Sequence, residues 1–214
     1  MAIQVLGANG SAIQQVDPSH QAAHSTLFPY EALAWGSIGA QSGALTTVAA
    51  AGGVFSLRNT STNLIAIRRI GVGFIATTAF TTAQIVDYGL FIARGFTAAD
   101  SGGTSVVVSA SNNTKFRTSL AVPNIDARIA TTAALTVGTR TLDANSVAQI
   151  GGWSGALGVG IAPTPNNLHT HDTGDHPIIL AANEGIVIEN LTVMGAAGVG
   201  RLYVNIEFAE LAAF

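Results

Sequence analysis

The chain has 214 residues, enough to bury a core without cross-links, and no cysteine, which excludes disulfides and thiolate metal sites. Charged residues are 10% of the chain and hydrophobic residues 48%. So much apolar content argues against disorder, and so little charge points to a surface that neighbouring subunits cover.

The charge is uneven. Residues 1–57 hold Asp17 and Glu31. Residues 58–140 hold Arg58, Arg68, Arg69, Arg94, Lys115, Arg117, Arg128 and Arg140 against Asp87, Asp100 and Asp126. Residues 141–214 hold seven acids and Arg201, so the three segments net −2, +5 and −6. A basic middle and an acidic end suit ion pairing within the fold or between subunits. The basic residues are single and spaced apart from Arg68-Arg69, which does not favour nucleic acid as a partner. No apolar run approaches the ~18 residues that span a bilayer, and no basic-then-apolar start resembles a signal peptide. A membrane is not an expected partner, and the product is expected to be used without translocation.

Residues 1–50 show no sustained period and are broken by Pro18, Pro29 and several glycines. They read as an extended arm whose Phe28, Tyr30 and Trp35 anchor in a neighbour or on the body. The other reading makes the segment a first strand or two, with those aromatics in the core. "DPSHQAAH" allows one short helical turn, with Asp17 as cap and Pro18 at its first position.

From residue 54 strands follow one another. "VFSLRN" is short and apolar. "NLIAIRRIGVGFIA" is long and β-branched, with glycines that suit a bend or a bulge. "IVDYGLFIARGF" alternates, with Val86, Tyr88, Leu90 and Ile92 on one face. "TSVVVS" is short and precedes the turn-rich "ASNNT". "TVGTRTLDANS" fits a strand and loop where another chain approaches. "HPIILAANEGIVIEN" reads as a hairpin, with Gly185 at a positive φ in its turn. "RLYVNIEFAE" points Leu202, Val204, Ile206 and Phe208 inward and Arg201, Tyr203, Asn205 and Glu207 outward, the period of a half-buried antiparallel strand. The glycine-rich "GAAGVG" separates these last two. Convincing helices are nearly absent. The expected fold is all-β: a jelly roll or related antiparallel β-sandwich over residues 51–214, behind an extended N-terminal arm of residues 1–50.

"LRNTSTNLIAIRRIGVGF", "ATTAFTTAQ", "YGLFIARGF", "GGTSVVVSASNNTKFRTSL", "DARIATTAALTVGTRTLDA" and "HPIILAANEGIVIEN", in that order, resemble a family of tailed-bacteriophage virion structural proteins. The resemblance runs from about residue 54 to the C-terminus. "TAALTVGTRTLDA" and "HPIILAANEGIVI" are its more specific pieces. It implies a β-rich virion component without enzymatic activity, present in many copies and assembled in the host cytoplasm. The N-terminal arm and "LHTHDTGD" lie outside the resembling pattern.

The densest chemistry is "LHTHDTGDHP", residues 168–177. His169 and His171 share a face in an extended segment. Two such residues from each of three chains would give an octahedral site for a first-row transition metal. A zinc site within one chain could add Asp172 or His176. The plainer reading is a polar loop among Pro163, Pro165, Asn166, Asn167 and Gly174. His20 and His24 read as structural or solvated. "GWSGA" around Ser154 is not a nucleophile elbow, and "GAAGVG" is not a phosphate loop. Glu184 and Glu189 differ in parity along a strand and do not pair for glycoside hydrolysis. Trp35 and Trp153 fit core or interface packing better than a sugar platform.

The resemblance, together with the low charge, implies a non-enzymatic capsid cement or decoration protein. It would work as a homotrimer against the major capsid protein or other virion proteins. It would need no cofactor beyond a divalent ion at a subunit interface, held by His169 and His171. A tail, baseplate or fibre protein that binds the host surface is the first alternative. A metal-dependent cupin-type β-barrel enzyme is the second.

Overall fold

A computed structural model describes residues 34–108, 124–154, 166–170, 177–195 and 197–212, without the side chains of Trp35, Trp153, Ser154 and Asn166. The chain divides into Met1–Glu31 and Ala32–Phe214, and every described residue lies in the second unit.

The described residues form twelve strands and no helix. They are β1 (Ala34–Gln41), β2 (Gly52–Asn59), β3 (Leu64–Thr78), β4 (Gln84–Ala98), β5 (Thr104–Val106) and β6 (Ile125–Ile129). Then come β7 (Thr139–Leu142), β8 (Ala148–Ser154), β9 (Asn166–Thr170), β10 (Ile178–Leu180), β11 (Gly185–Asn190) and β12 (Val199–Leu211). One sheet has the order β1-β12-β3-β10, with β9 sharing the β3 edge; the other has β5-β6-β2-β11-β4-β7, with β8 sharing the β4 edge. All the ladders are antiparallel.

Set the β5–β6 pair aside, and count β7 with β8 and β9 with β10 as single positions. Along the chain, the positions then alternate between the two sheets, except that the fourth and fifth are neighbours in the second. Numbered one to eight, the sheet orders become 1-8-3-6 and 2-7-4-5. That is a jelly roll, the closure expected for an all-β chain of this length. The extra pair covers the free edge of β2 through the β2–β6 ladder.

The alternating residues explain why the sheets meet. Val86, Tyr88, Leu90 and Ile92 of β4 and Leu202, Val204, Ile206 and Phe208 of β12 all enter one buried cluster. Ile65, Ile67, Ile70 and Val72 of β3 and Phe55 and Leu57 of β2 complete it from both sheets. The partner residues of β12 face outward: Tyr203 accepts a bond from the Gln41 amide, and Glu207 pairs with Arg69 at 3.7 Å.

The structure corrects four expectations. The sandwich begins before residue 51, because β1 pairs with β12 from Ala34↔Glu210 to Gln41↔Tyr203 and Leu45 is in the core. Trp35 therefore sits on a core strand, opposite Ala209, and not on an arm. "HPIILAANEGIVIEN" is not a hairpin: β10 joins β3 in one sheet, and β11 joins β2 and β4 in the other. Its turn is a corner between sheets, closed by the Glu184 N–H donating to the Ala181 carbonyl at 3.0 Å. The positive φ there belongs to Asn183 at 59°, which asparagine tolerates at the third position of such a turn. Gly185 is required for a different reason: a Cβ there would lie 2.3 Å from the Leu57 carbonyl oxygen and 2.7 Å from the Phe96 ring. The β3 ladders shift register opposite Val199/Gly200, beside Thr77, and opposite Glu207/Phe208, beside Arg68, and against β9 between Ile70 and Gly71, at a β3 glycine.

Two stability changes follow. Gly185→Ala forces β11 away from β2 and should lower unfolding free energy by about 1–3 kcal/mol in urea denaturation. Tyr88 lies in the core with its hydroxyl buried and without a hydrogen-bond partner among the described residues. Burial, with the negative charge of Asp87, pushes its ionisation far above the ordinary phenol range. Tyr88→Phe removes an unsatisfied group and should raise stability by about 1 kcal/mol in the same assay.

Candidate functional site

Of the expected metal ligands, His169 lies on β9 opposite Ile70 and is half-buried. His171 lies outside the described residues, as do Phe28 and Tyr30. Among the described residues no group of three or more His, Asp or Glu is placed to hold a metal ion.

The structure assembles a different polar cluster, on the outer face of the second sheet. Its placement starts with a bulge. The β2–β11 register runs Val187↔Ser56 and Ile188↔Phe55, then shifts to Glu189↔Gly53. Ile186 and Ile188 point into the core, so Val187 and Glu189 point outward. The shift sets a residue with no side chain opposite Glu189, and Gly89 of β4 lies opposite on the other side. Phe91 and Leu191 lie over Gly89, and room is left over Gly53.

Arg140 of β7, paired with Asp100 in the run after β4, takes this room. Asp100 is fully buried and Arg140 has a 2% exposed side chain. Asp100 Oδ1 accepts from Arg140 Nε at 3.0 Å and from the Gly138 N–H at 2.9 Å. Arg140 Nη2 reaches over Gly53, 3.4 Å from where a Cβ would stand. The Arg140 guanidinium lies 5.7 Å and the Arg58 guanidinium 6.0 Å from the centroid of the buried Phe96 ring, both in cation–π range. Under them Ala93, Phe96 and Val187 form a small apolar cluster, with Leu142 packed against it.

The cluster is incompletely satisfied. Asp100 Oδ2, Arg140 Nη2, Arg58 Nε and Arg128 Nε are buried without a hydrogen-bond partner among the described residues. Glu189 is buried beside them, and desolvation raises its carboxyl above the ordinary range. The charge of Arg140 opposes that rise and the charge of Asp100 adds to it. Further along the same face, Arg58 Nη2 meets Asp126 at 3.4 Å, and Arg128 lies 3.9 Å from the other oxygen of Asp126. At the turn before β11, Arg94 bridges Asp143 and Glu184. The hydrogen bond to Asp143, then that to Glu184, raises its pKa.

This site is closed to solvent at its centre, so its chemistry is that of holding chain segments together. No family model, curated protein or solved structure matches this chain.

The sequence reading put weight on histidine density and missed this cluster. Asp100, Arg140 and Glu189 are far apart in sequence, and each is alone in its segment. The signal that could have found them is an acid on the alternation of a buried strand: Glu189 stands where "GIVIEN" calls for an apolar or small residue.

Removing either partner of the Asp100–Arg140 pair leaves a buried charge uncompensated. Arg140→Met and Asp100→Asn should each destabilise by about 3–5 kcal/mol, and the double variant by clearly less than the sum. Urea denaturation of the four chains gives the coupling directly.

Proposed function

We propose that the chain is a non-enzymatic structural protein of a tailed-bacteriophage virion, a cement or decoration protein that stabilises the capsid shell. It works as a homotrimer, and its partners are copies of itself and the major capsid protein.

The observation that carries this reading is how the surface is made. Arg58, Arg69, Arg94, Arg128 and Arg140 are each held by acids of the same chain. Those charges are taken up within the fold, while large aliphatic side chains stand outside. Ile85, Val107, Val137, Val147 and Val193 are each more than half exposed.

Three of them border one strip. Ile85 lies on the outer side of β4, since Val86 points into the core. Further along that side, Phe91 and Leu191 lie over Gly89. Val147 donates its N–H to the Leu90 carbonyl beside them. Val193 follows Thr192, whose N–H and hydroxyl bind Asp87 on the same strand. An apolar strip on an otherwise polar sheet face marks a contact surface. The jelly roll supports the reading as a frequent architecture of shell subunits, although a fold alone does not decide function. The resemblance from residue 54 onward supplies the virion.

Two measurements test it. In sedimentation velocity at micromolar concentration the chain should run as a trimer. The double variant Ile85→Ser/Val193→Ser should lower association about tenfold or more and leave the unfolding midpoint nearly unchanged. A monomer at that concentration would remove the trimer. Immunogold labelling of virions should decorate the capsid; labelling confined to the tail would replace the cement role with a tail or baseplate role.

A further inference from the structure

The buried cluster on the second sheet contains one positive and two negative groups where the pairing geometry serves only one acid. Asp100 Oδ1 takes both the Arg140 Nε and the Gly138 N–H. Asp100 Oδ2 has no donor and Arg140 Nη2 has no acceptor among the described residues. Glu189 lies opposite Gly53 in the β2–β11 register, and Arg140 Nη2 lies over that glycine.

We propose that Glu189, Asp100 and Arg140 form an acid-tightened latch, which holds the runs around Asp100 and Gly138–Arg140 on the outer face of the sheet when Glu189 carries its proton and loosens them when Glu189 is ionised. A protonated Glu189 brings the two groups the ion pair lacks. Its O–H is a donor for Asp100 Oδ2, and its carbonyl oxygen is an acceptor for Arg140 Nη2. An ionised Glu189 supplies no donor and sets a second buried carboxylate beside Asp100, with one guanidinium between them.

The surroundings do not rescue the ionised form. β2 presents Gly53 opposite Glu189, with Ser56 and Arg58 further along. Arg58 is engaged by Asp126 and by the Thr97 carbonyl. β4 presents Gly89, then Asp87, which adds a negative charge and is bound by Thr192. β6 contributes Arg128 and Asp126, which lie near each other. β8 contributes Gln149 beyond Gly89. Residues 130–138, which run along β2 through the Ala130 N–H to Val54 and the Leu135 N–H to Gly53, contain no titratable side chain. Arg140, over the glycine opposite Glu189, is thus the cation whose charge opposes the rise of the Glu189 carboxyl.

The direction in pH follows from the raised carboxyl. A folded-state pKa above the unfolded value gives a stabilising contribution that is complete below about 4.3, the ordinary glutamate value, and is lost as pH rises through the folded value. When the latch loosens, the apolar group of Phe96, Val187, Ala93 and Leu142 loses its cover. The latch stands independently of the virion reading.

Hydrogen exchange of the full chain, corrected for intrinsic rates, tests it at about pH 5 and about pH 8. The peptides that matter cover 99–103 and 134–142, with 199–211 of β12 as reference. In the wild type, protection of the two covering peptides should fall severalfold relative to β12 at the higher pH, the direction set by the raised Glu189 carboxyl. In Glu189→Gln it should stay at the acidic level at both pH values. Asp100→Asn, which frees Arg140 to pair with Glu189, should move the transition toward acid. The proposal fails if the wild type shows no fall, if the fall persists in Glu189→Gln, or if β12 loses protection equally. Should Asp100→Asn not fold, the Glu189→Gln comparison decides alone.

Discussion

The contact between the two inner faces is what the rest of the molecule rests on. β3 and β12 pair along nearly their full lengths in one sheet, and β4 and β11 lie across from them in the other. Along the middle of these strands alternate residues are apolar and buried in the same cluster, with β3 resetting its alternation at Arg68. Because the side-chain period of a strand is two, a slip of one residue would turn the whole set outward. The register is therefore fixed by burial, and the chain must keep crossing between sheets to bring each new apolar face to the same core.

That crossing explains why the connections look as they do. The corner before β11 uses Asn183 for its left-handed residue, and Gly185 lets β11 come against Leu57 and Phe96. The two outer faces then diverge. The outer face of the first sheet is polar, with Tyr203, Asn205 and Glu207 of β12. The outer face of the second is covered over part of its area by the runs around Asp100 and Gly138–Arg140. A covered face needs its polar groups satisfied locally, and the Asp100–Arg140 pair does this for those runs. Glu189 lies on that face too, and desolvation raises its carboxyl above the ordinary range.

Strand positions were legible wherever one face is buried and the other wet. "IVDYGLFIARGF" and "RLYVNIEFAE" carry that alternation, and both strands lie as their patterns require. β1 was harder to read, because "AWGSIGAQ" alternates small residues whose burial depends on β12. The corner at "ANEG" reads as a hairpin because two apolar runs flank a turn; sequence spacing does not say whether adjacent runs share a sheet. The polar cluster was invisible for a related reason. Its members come from β11, β7 and the residue run after β4, and only the bulge at Gly53 places them together.

By itself the sequence determined the class of fold, the period of its long strands and which residues of those strands form the core. Local alternation encodes these, and burial enforces it. Tertiary structure alone decided that β1 belongs to the sandwich, that β10 and β11 lie in different sheets, and that Glu189 shares a face with Asp100 and Arg140. Those outcomes depend on contacts between residues far apart along the chain, for which one sequence carries no local signal.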